Sequence, residues 1–183
     1  MKQYQKILFP VIVALQLCVL VSMITKQELL LANGTKVLLK CEPVDPRSLF
    51  SGDYVILNYE ISTIGYDIIS RSDLKDINDL ERKDIYVALM IKTNDMHYKI
   101  AAISDSFDKL KQDDAIIIRG RVVSANSNRL RVRYGVESYF VPQNEGKKIE
   151  ENLNNTSVEV SVSDNGDSVI SKLFIGNQEV KFY

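Results

Sequence analysis

The 183-residue chain has few of the residue types on which catalytic and metal sites usually depend: one histidine, two cysteines and no tryptophan. So few histidines and cysteines exclude a zinc site of the usual kind, unless carboxylates supply most of the ligands. The G-x-S-x-G, Walker A, G-x-G-x-x-G and H-E-x-x-H patterns are missing as well. The sequence therefore predicts no metal, no cofactor and no recognisable catalytic constellation.

An excess of positive charge is also missing. Lysine and arginine number 23 against 24 acidic residues, which gives a formal net charge of −1. A surface that binds nucleic acid normally carries a clear basic excess. We therefore expect no nucleic-acid partner.

One long apolar run stands out near the N-terminus. Residues 7–24, ILFPVIVALQLCVLVSMI, contain no charged side chain. As a helix they would extend about 27 Å, close to the thickness of the hydrocarbon core of a bilayer. We predict a membrane anchor over residues 7–25, preceded by a cytoplasmic segment at 1–6. A cleaved signal is the alternative, although the run is long for one and lacks an A-x-A-like site.

The charges that flank this run indicate its orientation. Lys2 and Lys6 precede it, whereas Lys26 is soon followed by Glu28. The positive-inside rule then predicts a cytoplasmic N-terminus and a periplasmic or extracellular domain. We expect a short juxtamembrane helix over residues 26–34 and one β-rich domain over residues 35–183.

The rest of the chain is typical of a mainly β protein. Residues 53–62 alternate between apolar and other positions, which predicts a strand with Val55, Leu57, Tyr59 and Ile61 on its inner face. Three hairpins are predicted, at residues 85–104, 114–137 and 157–175, and the last has an Asn-Gly turn. We expect an antiparallel barrel or sandwich of about seven or eight strands with one short helix near residues 145–155.

Isolated candidates for catalysis are weak. His97 lies in an alternating strand pattern, and Cys41 has no neighbouring histidine, so each is better explained by packing. A membrane-tethered hydrolase that uses Ser48, or an Asp53 and Glu60 pair of carboxylates, is the alternative function. A barrel that binds a small ligand or glycan is a further alternative.

Arginines form the most prominent charged cluster. Arg129, Arg131 and Arg133 alternate along one predicted strand, and Arg119 and Arg121 lie on the strand that faces it. The simplest interpretation is a solvated sheet face paired with carboxylates. If the face is functional, its planar guanidinium groups favour an acidic protein or an anionic lipid.

Two blocks of sequence resemble a known family. The first motif block, GDYVILNY at residues 52–59, resembles the signature of the GDYXXLXY family and follows the lead-in PVDPRSLFS. The second motif block, YGVESYFVP at residues 134–142, resembles another characteristic segment of that family. The resemblance covers most of the domain. It implies one membrane anchor, a β-rich domain and no established activity.

The resemblance also implies a partner, because genes of this family often lie beside genes for multi-spanning membrane proteins. We therefore expect a non-enzymatic accessory or assembly subunit that docks through residues 43–54 and the second motif block. The candidate binding residues are Asp45, Arg47, Gly52, Asp53, Tyr54, Leu57, Tyr59, Tyr134, Gly135, Glu137, Tyr139 and Phe140.

Overall fold

The structure is a computed structural model that describes residues 3–43, 54–74, 77–92, 95–111, 114–126, 128–143 and 145–182. Within these ranges there are three α-helices: α1 (Gln3–Asn33), α2 (Tyr66–Ile69) and α3 (Gly146–Glu150). The strands are β1 (Thr35–Glu42), β2 (Tyr54–Ile56), β3 (Asn58–Tyr59), β4 (Thr63–Gly65), β5 (Asp84–Ile91), β6 (Tyr98–Ser104), β7 (Ile116–Asn126), β8 (Arg129–Arg133), β9 (Ser138–Phe140), β10 (Thr156–Val162), β11 (Ser168–Ile175) and β12 (Gln178–Glu179).

Helix α1 contains both the predicted anchor and the predicted juxtamembrane helix without a break between them. Its 31 residues extend about 46 Å. The part from Leu8 to Asn33 contains an 18-residue window with a mean hydropathy of 2.4, and none of that window is buried within the protein. The length and composition of this helix fit a membrane anchor.

The end of α1 passes directly into the β domain. The backbone N–H of Gly34 donates to the carbonyl of Leu30 over 2.9 Å, and β1 begins at the next residue. A Cβ atom at Gly34 would lie only 2.6 Å from that carbonyl oxygen, so this close approach requires glycine. Leu30 is also the one buried side chain among the described side chains of α1. Helix and domain are therefore joined without a linker.

The domain is a mainly β, curled antiparallel half-barrel. This confirms the fold class predicted from the sequence. Two five-stranded sheets have the orders β12-β11-β10-β1-β3 and β4-β8-β7-β5-β6, and β2 pairs with β9 in a separate ribbon. Seven strands of the described chain have five or more residues, and the other five have only two or three. The short strands explain why twelve are present where about seven or eight were expected.

One hydrophobic core extends across the two large sheets. It takes alternate residues along several strands, for example Val37, Leu39 and Cys41 on β1 and Leu130 and Val132 on β8. Each such side chain contributes about 1.5–3 kcal/mol by leaving water. The alternation that the sequence displays is therefore the pattern that builds the core.

The three predicted hairpins are confirmed. Strand β5 pairs with β6, β7 with β8 and β10 with β11, all antiparallel. The Asn-Gly turn of the last hairpin places Gly166 at φ 84°, where glycine is favoured. The predicted short helix is α3, which continues into a 3₁₀ turn at Leu153–Asn155.

The prediction of one continuous strand over residues 53–62 is wrong in its continuity and right in its burial. Asp53 lies outside the described residues, and from Tyr54 onward the segment comprises β2, β3 and a 3₁₀ turn at Glu60–Ser62. The four inner residues predicted from the alternation are all buried. The backbone breaks because β2 pairs with β9, β3 with β1 and the following β4 with β8. A segment that changes partner twice cannot remain straight.

An ionic cluster fastens α1 to the domain. The Lys26 ammonium group lies 2.8 Å from the Asp167 carboxylate, which also accepts a hydrogen bond from Arg119. These bonds, that from Lys26 above all, lower the pKa of Asp167 below its usual value. Since Asp167 belongs to the turn between β10 and β11, the cluster fixes the helix against that hairpin.

We predict that Asp167→Asn lowers the stability of the detergent-solubilised full chain by about 0.5–1 kcal/mol, because its partner Lys26 is largely exposed to solvent. The stabilisation requires the ionised carboxylate, so it is present above the unfolded pKa of about 3.9 and disappears as the pH falls through the lower folded value. Thermal unfolding at pH 7 and pH 3 measures both effects. Asp164→Asn, in the same turn and exposed, is the matched control. An equal loss in the control would contradict the prediction.

We also predict that Cys41 is chemically inert in the folded protein. Its side chain is 1% exposed, and burial raises its pKa to about 12. In a Cys18→Ser variant, a thiol-reactive chromogenic disulfide should modify no cysteine under native conditions and one after denaturation. Rapid stoichiometric reaction of the folded variant would show that this part of the core opens readily.

Candidate functional site

The two motif blocks meet in the β2–β9 ribbon. Tyr54 faces Phe140, Val55 faces Tyr139 and Ile56 faces Ser138 across the antiparallel ladder. The N–H of Leu57 extends the pairing by donating to the carbonyl of Glu137 over 2.7 Å. Segments some eighty residues apart in sequence therefore form one structural unit.

Buried tyrosines reinforce this unit from the inside. The hydroxyl of Tyr59 donates to the carbonyl of Val136, and the hydroxyl of Tyr134 donates to the carbonyl of Ile61 over 2.7 Å. The exchange is reciprocal, because each tyrosine bonds the backbone at or just beyond the other block. Burial raises the pKa of both phenols well above the usual value. Tyr59 and Tyr134 therefore act as neutral structural donors.

Glu137 holds the turn that opens the second motif block. Its carboxylate accepts the backbone N–H groups of Tyr134 over 2.5 Å and of Gly135 over 3.0 Å. Gly135 has a φ of 82°, which favours glycine. The predicted binding residues Gly135 and Glu137 thus shape the turn, and the Glu137 carboxylate is already engaged by backbone donors.

The outer face of the ribbon carries exposed aromatic side chains. Phe140 is 76% exposed, and its ring centroid lies 6.1 Å from that of the half-buried Tyr54. Tyr139 points to the other face, where it packs against Phe182 with a centroid distance of 6.3 Å. We call the outer face, formed by Tyr54, Ile56 and Phe140, the motif surface.

The five predicted arginines are all exposed, but they fall into two groups. Arg121 pairs with Asp84 over 2.8 Å, and Arg119 pairs with Asp167. Arg129, Arg131 and Arg133 on β8 have no ion pair with any carboxylate in the described parts of the chain. The solvated face paired with carboxylates that we expected therefore accounts for two of the five.

A cleft of about 550 Å³ connects the motif surface with β8. We call it the arginine cleft. Its walls include Tyr54, Ile56, Asn58, Val123, Arg131 and Arg133. Apolar and cationic groups therefore line one open groove, and the aromatic motif surface borders it.

Several predicted residues lie outside the described part of the chain. They are Asp45, Arg47, Gly52, Asp53 and the hydrolase candidate Ser48. Glu60 is described, and it lies exposed in the 3₁₀ turn that follows β3. The alternative function, a hydrolase that uses Ser48 or the Asp53 and Glu60 pair, therefore stays a prediction.

The sequence did not predict a second polar cluster, which forms around His97. His97 Nε2 lies 2.8 Å from the hydroxyl oxygen of Ser157 on β10, beside another cleft of about 510 Å³. Asp95 lies 3.7 Å from His97 Nδ1, too far for a hydrogen bond. Its carboxylate instead accepts the His97 backbone N–H and pairs with Lys99, which hold its pKa at about 2. No local pattern relates Ser157 on β10 to a histidine sixty positions earlier, in the bend that precedes β6.

We predict that Tyr134→Phe lowers the free energy of unfolding by about 1–2 kcal/mol, because the buried carbonyl of Ile61 loses its donor. Chemical denaturation of the full chain in detergent measures the loss. Tyr139→Phe is the control, since its ring is only partly buried and its hydroxyl has no bond within the described residues. Equal losses in the two variants would contradict the assigned role of the Tyr134 hydroxyl.

Comparison with known proteins identifies a family. No curated protein and no solved structure matches the chain. A family model described as "GDYXXLXY protein" matches residues 16–173, which include most of α1 and both motif blocks. The matched region contains the ribbon that joins these blocks and the second half of the apolar run. The chain belongs to the GDYXXLXY family.

Proposed function

We propose that this protein is a single-pass, non-enzymatic accessory subunit of a membrane protein complex. Helix α1 anchors it with the N-terminus in the cytoplasm, and the β domain lies on the periplasmic or extracellular side. The domain docks on a multi-spanning membrane protein through the motif surface. The observation that carries the proposal is the pairing of the two family blocks into one ribbon that presents the exposed Phe140.

The division of labour within the motif blocks supports docking. Their inward residues already serve the fold, since Leu57 and Tyr59 are almost fully buried. The outward ring of Phe140 gains little from the fold, because about three quarters of it remains in water. Adjacent aromatic rings on a surface are typical of the centres of protein interfaces.

The junction with the membrane also supports a partner inside the bilayer. Gly34 and the Lys26–Asp167 pair hold the domain against the end of α1, so the domain cannot move far from the membrane surface. A protein that spans the same bilayer always lies within reach of such a domain. The gene neighbourhood that the family resemblance implies points to the same kind of partner.

The orientation follows from charge. Lys2 and Lys6 precede the apolar run, and these charges favour a cytoplasmic N-terminus. The ionisable groups of the ribbon argue for binding rather than catalysis. The Glu137 carboxylate is held by two backbone N–H groups, and Tyr59 and Tyr134 are buried donors.

Photo-crosslinking in native membranes tests the proposal. The photoreactive amino acid p-benzoylphenylalanine is placed at Phe140 in the full chain, in cells that naturally make the protein. We expect an adduct with a multi-spanning membrane protein, identified by mass spectrometry. The matched control carries the same group at Met96, which is 64% exposed and lines the other cleft.

Two results would count against docking through the motif surface. One is the absence of any multi-spanning protein among the adducts at position 140. The other is the same adduct, in equal yield, from position 96, because random collision would then explain both.

A further inference from the structure

We propose that the arginine cleft binds an extended acidic segment of the partner, with Arg131 and Arg133 pairing with its carboxylates. This inference rests on the proposed function and adds the chemistry of the partner. The segment would come from an extramembrane loop or terminus of the multi-spanning protein and would carry apolar side chains between its acidic ones.

The first argument is the availability of charge. Arg119 and Arg121 are each held by an aspartate, whereas Arg131 and Arg133 line the cleft without a carboxylate partner among the described residues. Glu137 also lines the cleft, but its carboxylate already accepts two backbone N–H groups. The cleft therefore offers two guanidinium groups whose donors suit carboxylates.

The second argument is the shape and lining of the cleft. A volume of about 550 Å³ is much larger than a single small anion needs, so the cleft has room for several side chains of a peptide segment. Ile56, Val123 and Tyr54 supply apolar contact beside the arginines. A strand-like segment that alternates acidic and apolar residues would offer matching groups to both kinds of wall.

The third argument separates a peptide from a lipid head group. Arg119 belongs to the ionic cluster at the end of α1, next to the membrane-spanning part of the helix. Arg131 lies opposite Ser124, five residues further along β7, or about 17 Å of strand, whereas Arg133 lies opposite Arg121, two residues from Arg119. The partly exposed Val123 lies beside Arg131. The distance of Arg131 from the cluster and the mixed lining of the cleft favour an acidic peptide.

Fluorescence anisotropy tests the inference. The probe is a fluorescein-labelled peptide of alternating glutamate and leucine, titrated with the full chain in detergent at physiological salt. We expect Arg131→Glu and Arg133→Glu each to weaken binding about tenfold or more, since each places a like charge opposite a carboxylate. Arg129→Glu should leave the affinity within about twofold.

Arg129 is a matched control because it lies on the same strand, is exposed and alternates with the same buried residues, yet it does not line the cleft. A peptide of alternating glutamine and leucine controls for apolar binding to protein or micelle. Thermal unfolding of each variant shows that the fold is kept, and Arg131→Gln separates loss of the positive charge from the added negative one.

Four outcomes would overturn the inference. They are unchanged affinity in the Arg131 and Arg133 variants, an equal effect of Arg129→Glu, equal binding of the glutamine peptide, and retention on phosphatidylglycerol vesicles that exceeds retention on phosphatidylcholine vesicles and loses this excess in Arg131→Glu. A marked gain in peptide affinity in an Asp45→Asn, Asp53→Asn variant would assign the cleft to an acidic segment of this chain instead.

These results stay distinct from a failure of the proposed function. If the peptide does not bind but the adduct at position 140 forms, docking through the motif surface holds and only the acidic nature of the partner is lost. If the peptide does not bind and no adduct with a multi-spanning protein forms at position 140, both proposals are wrong.

Discussion

Two buried tyrosine hydroxyls hold the two motif blocks together, and the motif surface depends on this contact. A phenol in a hydrophobic core must find an acceptor, or it forfeits the hydrogen bond that it made to water. Tyr59 and Tyr134 both find carbonyls across the junction of the motif blocks. The same requirement therefore draws two remote segments into contact from both directions, and the β2–β9 ribbon forms beside that contact.

The family signature can be understood in these terms. Residues two apart on a strand share a face, so Leu57 and Tyr59 of the signature enter the core with Val55. Tyr54 lies on the opposite face, where it meets Phe140. A single short segment thus specifies both a core contact and a surface. The terminal tyrosine of the signature is explained by folding, whereas Tyr54 and Phe140 point outward and are the residues to which the proposed function assigns docking.

Local patterns made the β architecture predictable. The hairpins are short-range, and the Asn-Gly turn at Gly166 carries its own conformational signal. The burial of residues 55–61 followed from period-two alternation, but their division between β9 and β1 did not, because alternation records which face is buried and not which strand lies alongside. The ladder of β4 with β8 was missed for the same reason.

The candidate site was less predictable than the fold. The five arginines look alike in sequence, and only tertiary contacts with Asp84 and Asp167 divide them. The arginine cleft joins residues from three separate stretches of chain, so no spacing of residues within the sequence could predict it. The bond between His97 and Ser157 is of the same kind. What the sequence did contain was the pair of motif blocks, whose contact became evident only through the backbone pairing.

The junction between α1 and β1 limits how far the apolar helix and the β domain can move relative to each other. A flexible linker would let a domain sample many orientations, and the effective concentration of its binding surface near a partner would fall accordingly. Here Gly34 permits no side chain, Leu30 enters the domain and Lys26 is paired with Asp167. If α1 spans a bilayer as proposed, its tilt and rotation determine where the motif surface points. Under the proposed function, a partner that packs against α1 and also contacts Phe140 would therefore bind both with little loss of orientational freedom.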